Sequence, residues 1–399
     1  MPPFFEIQSA PPGSKARAGL LRTAHGDVPT PAFMPVGTAG SVKAVAPRSL
    51  KDAGARIILG NTYHLYLRPG CGLIEKAGGL HRFASWDGAM LTDSGGFQVW
   101  SLETLRKITE KGVEFRSHID GSKHLFTPES VMRAQRQIGA DIIMAFDECT
   151  PYPATPEETD KSLGLTQRWT ERALEWLAVN PPLHGYGQNF FGIVQGGMHK
   201  EARARAIGHL LTLDLPGIAL GGLSVGEPAE TMYEVAGFCT DLLPPAKPRY
   251  VMGVGTPSNL VTLVGLGVDM FDCVLPTRNA RNGTVYTWDG PLHYKAARHA
   301  AELDEPIDRR CGCYTCGNFS RAYLRHLFVA GEILALELAS IHSIHFFQDL
   351  MAECRRQILA GAFPAWSAEL LARWSVPPRA SNDSGISGSR CTLPPGEET

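Results

Sequence analysis

Two groups of residues in this 399-residue chain have types and spacings that could do chemistry. The first is the stretch Met270-Phe-Asp-Cys-Val-Leu-Pro-Thr-Arg-Asn-Ala-Arg-Asn282. It opens as an apolar strand carrying one carboxylate, Asp272, then turns at Pro276 into Thr277, Arg278, Asn279 and Arg281. A carboxylate inside an apolar run is costly to bury unless it is paired or working. Two arginines just beyond it could hold phosphates and leave Asp272 to react. The plainer reading is a strand-end Asp capping a loop. The second group is Cys311-Gly-Cys313-Tyr-Thr-Cys316, with His342 further on. Three thiolates and an imidazole make a closed tetrahedral Zn²⁺ site, and with no open position such a metal is structural. His345 and His326 compete with His342 as fourth ligand, and spacing alone leaves that choice open. The alternative is three free or redox cysteines in a loop.

Other polar residues follow apolar runs. Thr92-Asp93-Ser94-Gly95-Gly96-Phe97 offers a carboxylate, bare N–H groups at two glycines and an aromatic face. Asp147-Glu-Cys149, Gln195-Gly-Gly197 and Gly221-Gly222-Leu223 end three more runs. An Asp, a Gln and free backbone around an aromatic ring describe a site for a flat, hydrogen-bonding heterocycle such as a purine. His64, His118 and His124 read as loop or packing residues rather than ligands.

The elements that must position these residues are short and apolar: Ala32–Val36, Arg56–Leu65, Ala89–Asp93, Asp141–Glu148, Asn189–Gln195, Gly217–Val225, Tyr250–Val254 and Met270–Leu275. Such runs fit strands buried on both faces. Helical patterns separate them. Thr127-Pro-Glu129 and Thr155-Pro-Glu-Glu158 each open a helix with an N-cap Thr, a Pro at N1 and acid in the first turn. Met198–Leu213, Pro228–Leu243 and the stretch after Thr256-Pro257 continue the alternation. Eight strands with helical crossovers predict an α/β fold, a (β/α)8 TIM-like barrel; a doubly wound open sheet is the rival. Asn61, Asp93, Asp147, Gln195, Gly222, Gly253 and Asp272 all fall at C-terminal strand ends, which a barrel gathers at one mouth. Seven strand ends of an open sheet could not surround one small molecule.

Residues 1–282 are thus expected to form the barrel and active site, with a zinc-binding subdomain inserted near the C-terminus at 283–345. Residues 346–375 make a closing segment with a helix at Phe346–Leu359, and 376–399, rich in Pro, Ser and Gly, a disordered tail. With 44% hydrophobic residues the chain can bury a large core, and a net charge of −2 argues against non-specific coating of nucleic acid. Nine unevenly spaced cysteines do not look like a secreted disulfide framework. Met1-Pro-Pro-Phe-Phe-Glu-Ile lacks a basic region followed by a long apolar one, and no run reaches membrane-spanning length. The expectation is a soluble, cytoplasmic protein.

Several motifs in order resemble the bacterial type of tRNA-guanine transglycosylase over roughly residues 5 to 365. They are Asn61-Thr-Tyr-His64, Asp93-Ser-Gly-Gly-Phe-Gln98, Phe146-Asp-Glu-Cys149, Gln195-Gly-Gly197, Gly221-Gly-Leu-Ser-Val-Gly-Glu227, Met252-Gly-Val-Gly255, Asp272-Cys-Val-Leu-Pro-Thr-Arg278 and the cysteine–histidine set. The resemblance implies a barrel with a zinc-bearing insertion. It implies exchange of the wobble guanine of GUN-anticodon tRNAs for 7-aminomethyl-7-deazaguanine, a step toward queuosine, by a homodimer working on one tRNA anticodon loop. It makes Asp272 the nucleophile, in a covalent Asp–ribose intermediate, and Asp93 the acid and base. Asp147, Gln195 and Gly222 hold the base and Phe97 stacks on it, with Ser94, Gly95, Gly96, Leu223, Val225 and Met252 around them. Gly253, Val254, Gly255, Thr256, Pro257, Ser258 and Asn259 lie against RNA, as do Thr277, Arg278, Asn279, Ala280 and Arg281. His342 joins Cys311, Cys313 and Cys316 on one structural Zn²⁺. The family also ties the incoming base to Val225 and Cys149: bacterial-type members resemble this chain there, whereas eukaryotic ones tend to carry Gly and Val and take bulkier queuine. A barrel glycosidase would also use two carboxylates, but would line its cleft with tryptophans where Gln and Gly stand here. A non-catalytic tRNA-binding subunit would have lost the nucleophile, and both Asp93 and Asp272 are present.

Overall fold

Residues 3–102 and 106–375 are described by a computed structural model; the tail expected at 376–399 lies outside them. Three antiparallel strands come first: β1 (Phe5–Ser9), β2 (Ala18–Thr23) and β3 (Gly26–Thr30). The apolar runs then start a parallel sheet with β4 (Ala32–Pro35), β5 (Ile57–Gly60) and β6 (Ala89–Thr92). A second antiparallel sheet intervenes, made of β7 (Lys107–Thr109), β8 (Gly112–Arg116) and β9 (Lys123–Phe126). The parallel series resumes with β10 (Ile142–Met144), β11 (Asn189–Val194), β12 (Gly217–Leu220), β13 (Arg249–Val251) and β14 (Met270–Cys273). These eight strands pair in the order β4-β14-β13-β12-β11-β10-β6-β5. A parallel bridge from Val36 to Leu59 joins the first to the last, so the sheet closes as a barrel.

Every expected run holds a barrel strand, but several strands stop early. The Arg56–Leu65 run becomes strand only to Gly60, and a helix, Thr62–Leu67, follows. Gly217–Val225 is strand only to Leu220. Beyond those points the chain leaves the ladder to build the mouth, where polar residues such as Asn61, Thr62 and Ser224 are mixed with apolar ones. The helix starts are as their caps dictate. Thr127 accepts from Ser130 N at 3.2 Å and Ser130 returns a bond to Thr127 N; Thr155 and Glu158 repeat the exchange.

The N-terminal sheet covers the end of the barrel away from the mouth. Buried Arg17 donates to Asp269, which precedes β14, and to the Pro245 and Lys247 carbonyls. His25, in the β2–β3 turn, bonds Asp141 just before β10 at 2.8 Å.

After β14 the chain does not simply turn at Pro276. Leu275–Arg281 is a helix with Pro276 in its first turn. The inserted subdomain adds the hairpin β15 (Val285–Thr287) and β16 (Gly290–Leu292), the helices Tyr314–Asn318 and Arg321–Ala330, and the start of a long helix. That helix runs from Ile333 to Leu359, so the expected boundary at 345/346 falls inside one helix, and the segment expected from Phe346 begins earlier. Ala280, Tyr294, Leu324 and Leu338 share a second apolar core, separate from the barrel's. Tyr294 also donates to the Ala280 carbonyl at 2.8 Å, so the subdomain braces the helix that carries both arginines. No helix among the described residues is long and apolar enough to cross a membrane.

Candidate active site and metal centre

The strand ends enclose a cavity of about 360 Å³. Asn61, Asp93, Asp147, Gln195, Gly222, Tyr250, Met252 and Asp272 line it, so seven successive units of the barrel reach one site. Asp93 is buried directly after β6. Its Oδ1 accepts from Thr62 N at 2.8 Å, and its Oδ2 from the Asn61 amide and from Gln98 Nε2 at 2.8 Å. Burial pushes its carboxyl up to about 6, against the pull of those donors, and the charge of Asp272 adds to the rise.

Asp272 is held differently. Tyr250 Oη donates to its Oδ1 at 2.6 Å, and Gly253 N to the same oxygen at 2.8 Å. Among the described residues no donor reaches Oδ2. Burial raises this carboxyl as well, opposed by the Tyr250 and Gly253 bonds. One oxygen is fixed and the other is left for the ligand.

The third carboxylate, Asp147, accepts from Gln195 Nε2 at 2.7 Å and lies 3.4 Å from the Ser94 hydroxyl. Burial pushes it up to about 6 too. Gln195 Oε1 is buried without a partner, as expected of a group that waits for a ligand donor. Two glycines keep this corner open. A Cβ on Gly96 would sit 2.8 Å from the Asp147 carbonyl, and one on Gly222, at φ +63°, would sit 2.6 Å from Gln195 Oε1. Phe97 is 48% exposed at the rim, and Val225 and Cys149 line the wall.

All the expected base-site residues except Gly96 line this cavity, and Gly96 stands against Asp147. The RNA set divides. Arg278 is exposed, Arg281 and Asn279 are partly so, and Gly253, Thr256, Ser258 and Asn259 have exposed or half-buried surface. Val254, Pro257 and Ala280 are buried in apolar cores and offer RNA no side chain, while Gly255 and Thr277 are also buried. Thr256 caps its helix by accepting from Asn259 N, and the Asn259 side chain accepts from Tyr233. Sequence reasoning gave no task to Tyr250 or Gln98. A tyrosine in a buried strand must place its hydroxyl on some partner, which was the signal available for Tyr250.

Cys311, Cys313, Cys316 and His342 bring one donor atom each within 4.8 Å of the others. His342 Nδ1 lies 3.5, 3.7 and 3.3 Å from the three sulfurs, and its Nε2 is 2.9 Å from the Tyr286 carbonyl. That carbonyl accepts from Nε2–H and so leaves the Nδ1 lone pair facing the sulfurs, as a metal ligand requires. His345 reaches only Cys311, at 3.5 Å. A metal ion fits this set. A second group, His25, His81 and Asp141, also converges within 4.8 Å. Its two rings stack 3.5 Å apart with 14° between planes, so one ion cannot lie in both ring planes. It is a carboxylate shared by two imidazoles.

A parallel eight-stranded barrel with carboxylates and a side-chain amide around one cavity at its mouth, together with a Cys3His cluster, defines the class as a barrel enzyme with a separate metal-ligating centre. Residues 13–376 match the family model described as queuine tRNA-ribosyltransferase. A queuine tRNA-ribosyltransferase of Caldanaerobacter subterraneus is 56% identical over 361 residues, covering 90% of this chain and 95% of the relative. One from Nitratidesulfovibrio vulgaris is 56% identical over 362 residues, 91% and 95% of the two chains. One from Methylobacillus flagellatus is 53% identical over 354 residues, 89% and 94%. The chain belongs to the queuine tRNA-ribosyltransferase family, and is a tRNA-guanine transglycosylase of queuosine synthesis. Its substrates are tRNA and guanine-type bases.

Proposed function

We propose that the protein exchanges the wobble guanine of GUN-anticodon tRNAs for 7-aminomethyl-7-deazaguanine by double displacement at Asp272. The observation that carries this is the one-sided grip on Asp272: both donors hold Oδ1, while the residue lines the base cavity. In the first displacement the free oxygen attacks C1′ of the wobble ribose. An Asp–ribose ester forms as the bond from C1′ to guanine breaks, and the electron pair leaves with guanine. Asp93, raised to about 6, is protonated often enough near neutrality to give its proton to departing guanine. In the second displacement Asp93 takes a proton from the incoming base, which attacks C1′ and releases Asp272. Asp147 and Gln195 Oε1 present acceptors to the base edge, with Gly222 beside them and Phe97 over its face.

The choice of base rests on Val225. Its branched side chain is stiff and stands on the cavity wall where the 7-substituent would lie. On this reading the wall admits an aminomethyl group and excludes the bulkier ring of queuine. The Leu223 carbonyl accepts from the small ammonium, and Cys149 completes the wall. The metal held by the Cys3His set is Zn²⁺, which fixes the subdomain and takes no part in the reaction. Arg278 and Arg281 hold phosphates of the anticodon loop. Two copies assemble on one tRNA; Tyr314, Val329 and Ile333, all exposed on the subdomain, support self-association.

The test is a denaturing gel of enzyme mixed with unmodified tRNA, followed by peptide mapping. An RNA adduct on the Asp272 peptide, absent in Asp272→Asn, is the expected result. An adduct that persists in Asp272→Asn puts the nucleophile elsewhere.

A further inference from the structure

The β11–β12 ladder ends at the pair Val194–Leu220. Gln195 and Gly222, the two groups that face the base, lie just past it. Past that pair one backbone bond, Gly221 N to the Val194 carbonyl at 3.1 Å, joins the two ends, and none among the described residues reaches Gln195 or Gly222 themselves across the gap. Arg203 lies under this gap, in the first turn of the helix Lys200–Thr212, and is fully buried. Its guanidinium donates from Nη1 to the Val194 carbonyl at 2.8 Å, from Nε to Gly197 at 2.9 Å and from Nη2 to Gly222 at 3.4 Å. The first two carbonyls flank Gln195 on one strand end; the third belongs to the other.

Among the described residues no carboxylate lies within ion-pair distance of Arg203, and burial lowers its affinity for its proton, offset in part by the more distant Glu227. Burying a guanidinium without a counter-charge is expensive, and packing alone could be served by an apolar side chain. A planar fork that spans carbonyls of two strands is what arginine offers and lysine does not. The bonds made here reach one residue further than the last backbone bond between the strands, to the Gly222 carbonyl.

We propose that Arg203 is a positioning residue for base recognition: its guanidinium ties the β11 end to the β12 end and so sets the width of the base slot. This rests on the base-binding role of Gln195 and Gly222. Width matters because an amide misplaced by a fraction of an ångström no longer pairs with the base edge. The arginine touches no substrate, so the RNA side of the site is unaffected.

The test is labelled-guanine exchange into unmodified tRNA by Arg203→Met, Arg203→Lys and Gln195→Ala, with KM measured separately for guanine and tRNA. Circular dichroism and metal content establish that each variant is folded. Arg203→Met is expected to raise the guanine KM by about tenfold or more while the tRNA KM stays within about twofold. If Arg203→Met does not fold, Arg203→Lys decides, since it keeps the charge and loses the fork; its guanine KM should also rise. Low millimolar guanidinium should lower the raised guanine KM of a cavity-forming Arg203→Ala variant. A folded Arg203→Met or Arg203→Lys with wild-type guanine KM overturns the proposal, as does an equal rise in both KM values. An unchanged guanine KM in Gln195→Ala would instead remove the base-binding role beneath it.

Discussion

Replacing Asp93 by Asn should make the protein more stable, and only at the pH where Asp93 would be charged. The carboxyl is raised from the ordinary 3.8 to about 6 because it is buried. A carboxyl raised in the folded state binds its proton more tightly there than in the unfolded chain. Its favourable contribution is therefore complete below about pH 4 and is lost as the pH rises through about 6. The shift is roughly 2 units at about 1.4 kcal/mol each, so the loss amounts to ~3 kcal/mol. Asn does not titrate. The stability difference between Asp93→Asn and wild type should thus grow in favour of the variant by ~3 kcal/mol between about pH 4 and 7, then level off. The assay is urea unfolding of both proteins across that range. Working with the pH dependence of the difference cancels the fixed effects of the substitution, including the rearranged amides of Asn61 and Gln98. Asp147, also raised to about 6, should give the same window in Asp147→Asn. A difference that stays flat with pH would show that Asp93 is not held protonatable, and would leave its acid–base role without support.

Three further outcomes are expected. Cys316→Ala should lose zinc by elemental analysis and melt the subdomain core earlier, because the metal contributes folding energy directly; full zinc retention would refute the ligand set. Arg278→Ala with Arg281→Ala should weaken tRNA binding and flatten its dependence on log salt by about 1.4 units at most, with exposed Arg278 the larger share; an unchanged slope moves the RNA face elsewhere. Val225→Gly should improve incorporation of queuine while sparing guanine exchange. Efficient queuine incorporation by the unaltered protein would contradict the role given to Val225 and leave the transglycosylase reaction intact.

The barrel was legible because parallel strands buried on both faces leave continuous apolar runs, and because polar residues interrupt those runs only at the mouth. Where polar and apolar residues mix past the ladder, as from Asn61 to Leu65, composition could not mark the strand end, which depends on hydrogen-bond partners contributed by neighbouring strands. The sheets β1–β3 and β7–β9 were missed for a related reason. Their strands are short and half exposed, such as Lys107–Thr109, and their pairing comes from turns rather than from an apolar signal. The strand-end carboxylates and the three cysteines could be picked out by residue type and spacing, whereas spacing left His342, His345 and His326 as rivals for the fourth ligand position. The burial of Val254, Pro257 and Ala280 could not, since each sits within a motif that also holds exposed or partly exposed residues. Nor could Tyr250 and Gly253 be seen to share one oxygen of Asp272, because that geometry joins β13 to β14 across the sheet.

The most direct measurement is the fate of radiolabelled guanine incubated with the purified protein and unmodified tRNA. Label should enter the tRNA with wild type and not with Asp272→Asn, and 7-aminomethyl-7-deazaguanine should chase it out irreversibly. Wild-type protein, with its metal in place, that leaves the tRNA unlabelled would contradict base exchange at Asp272.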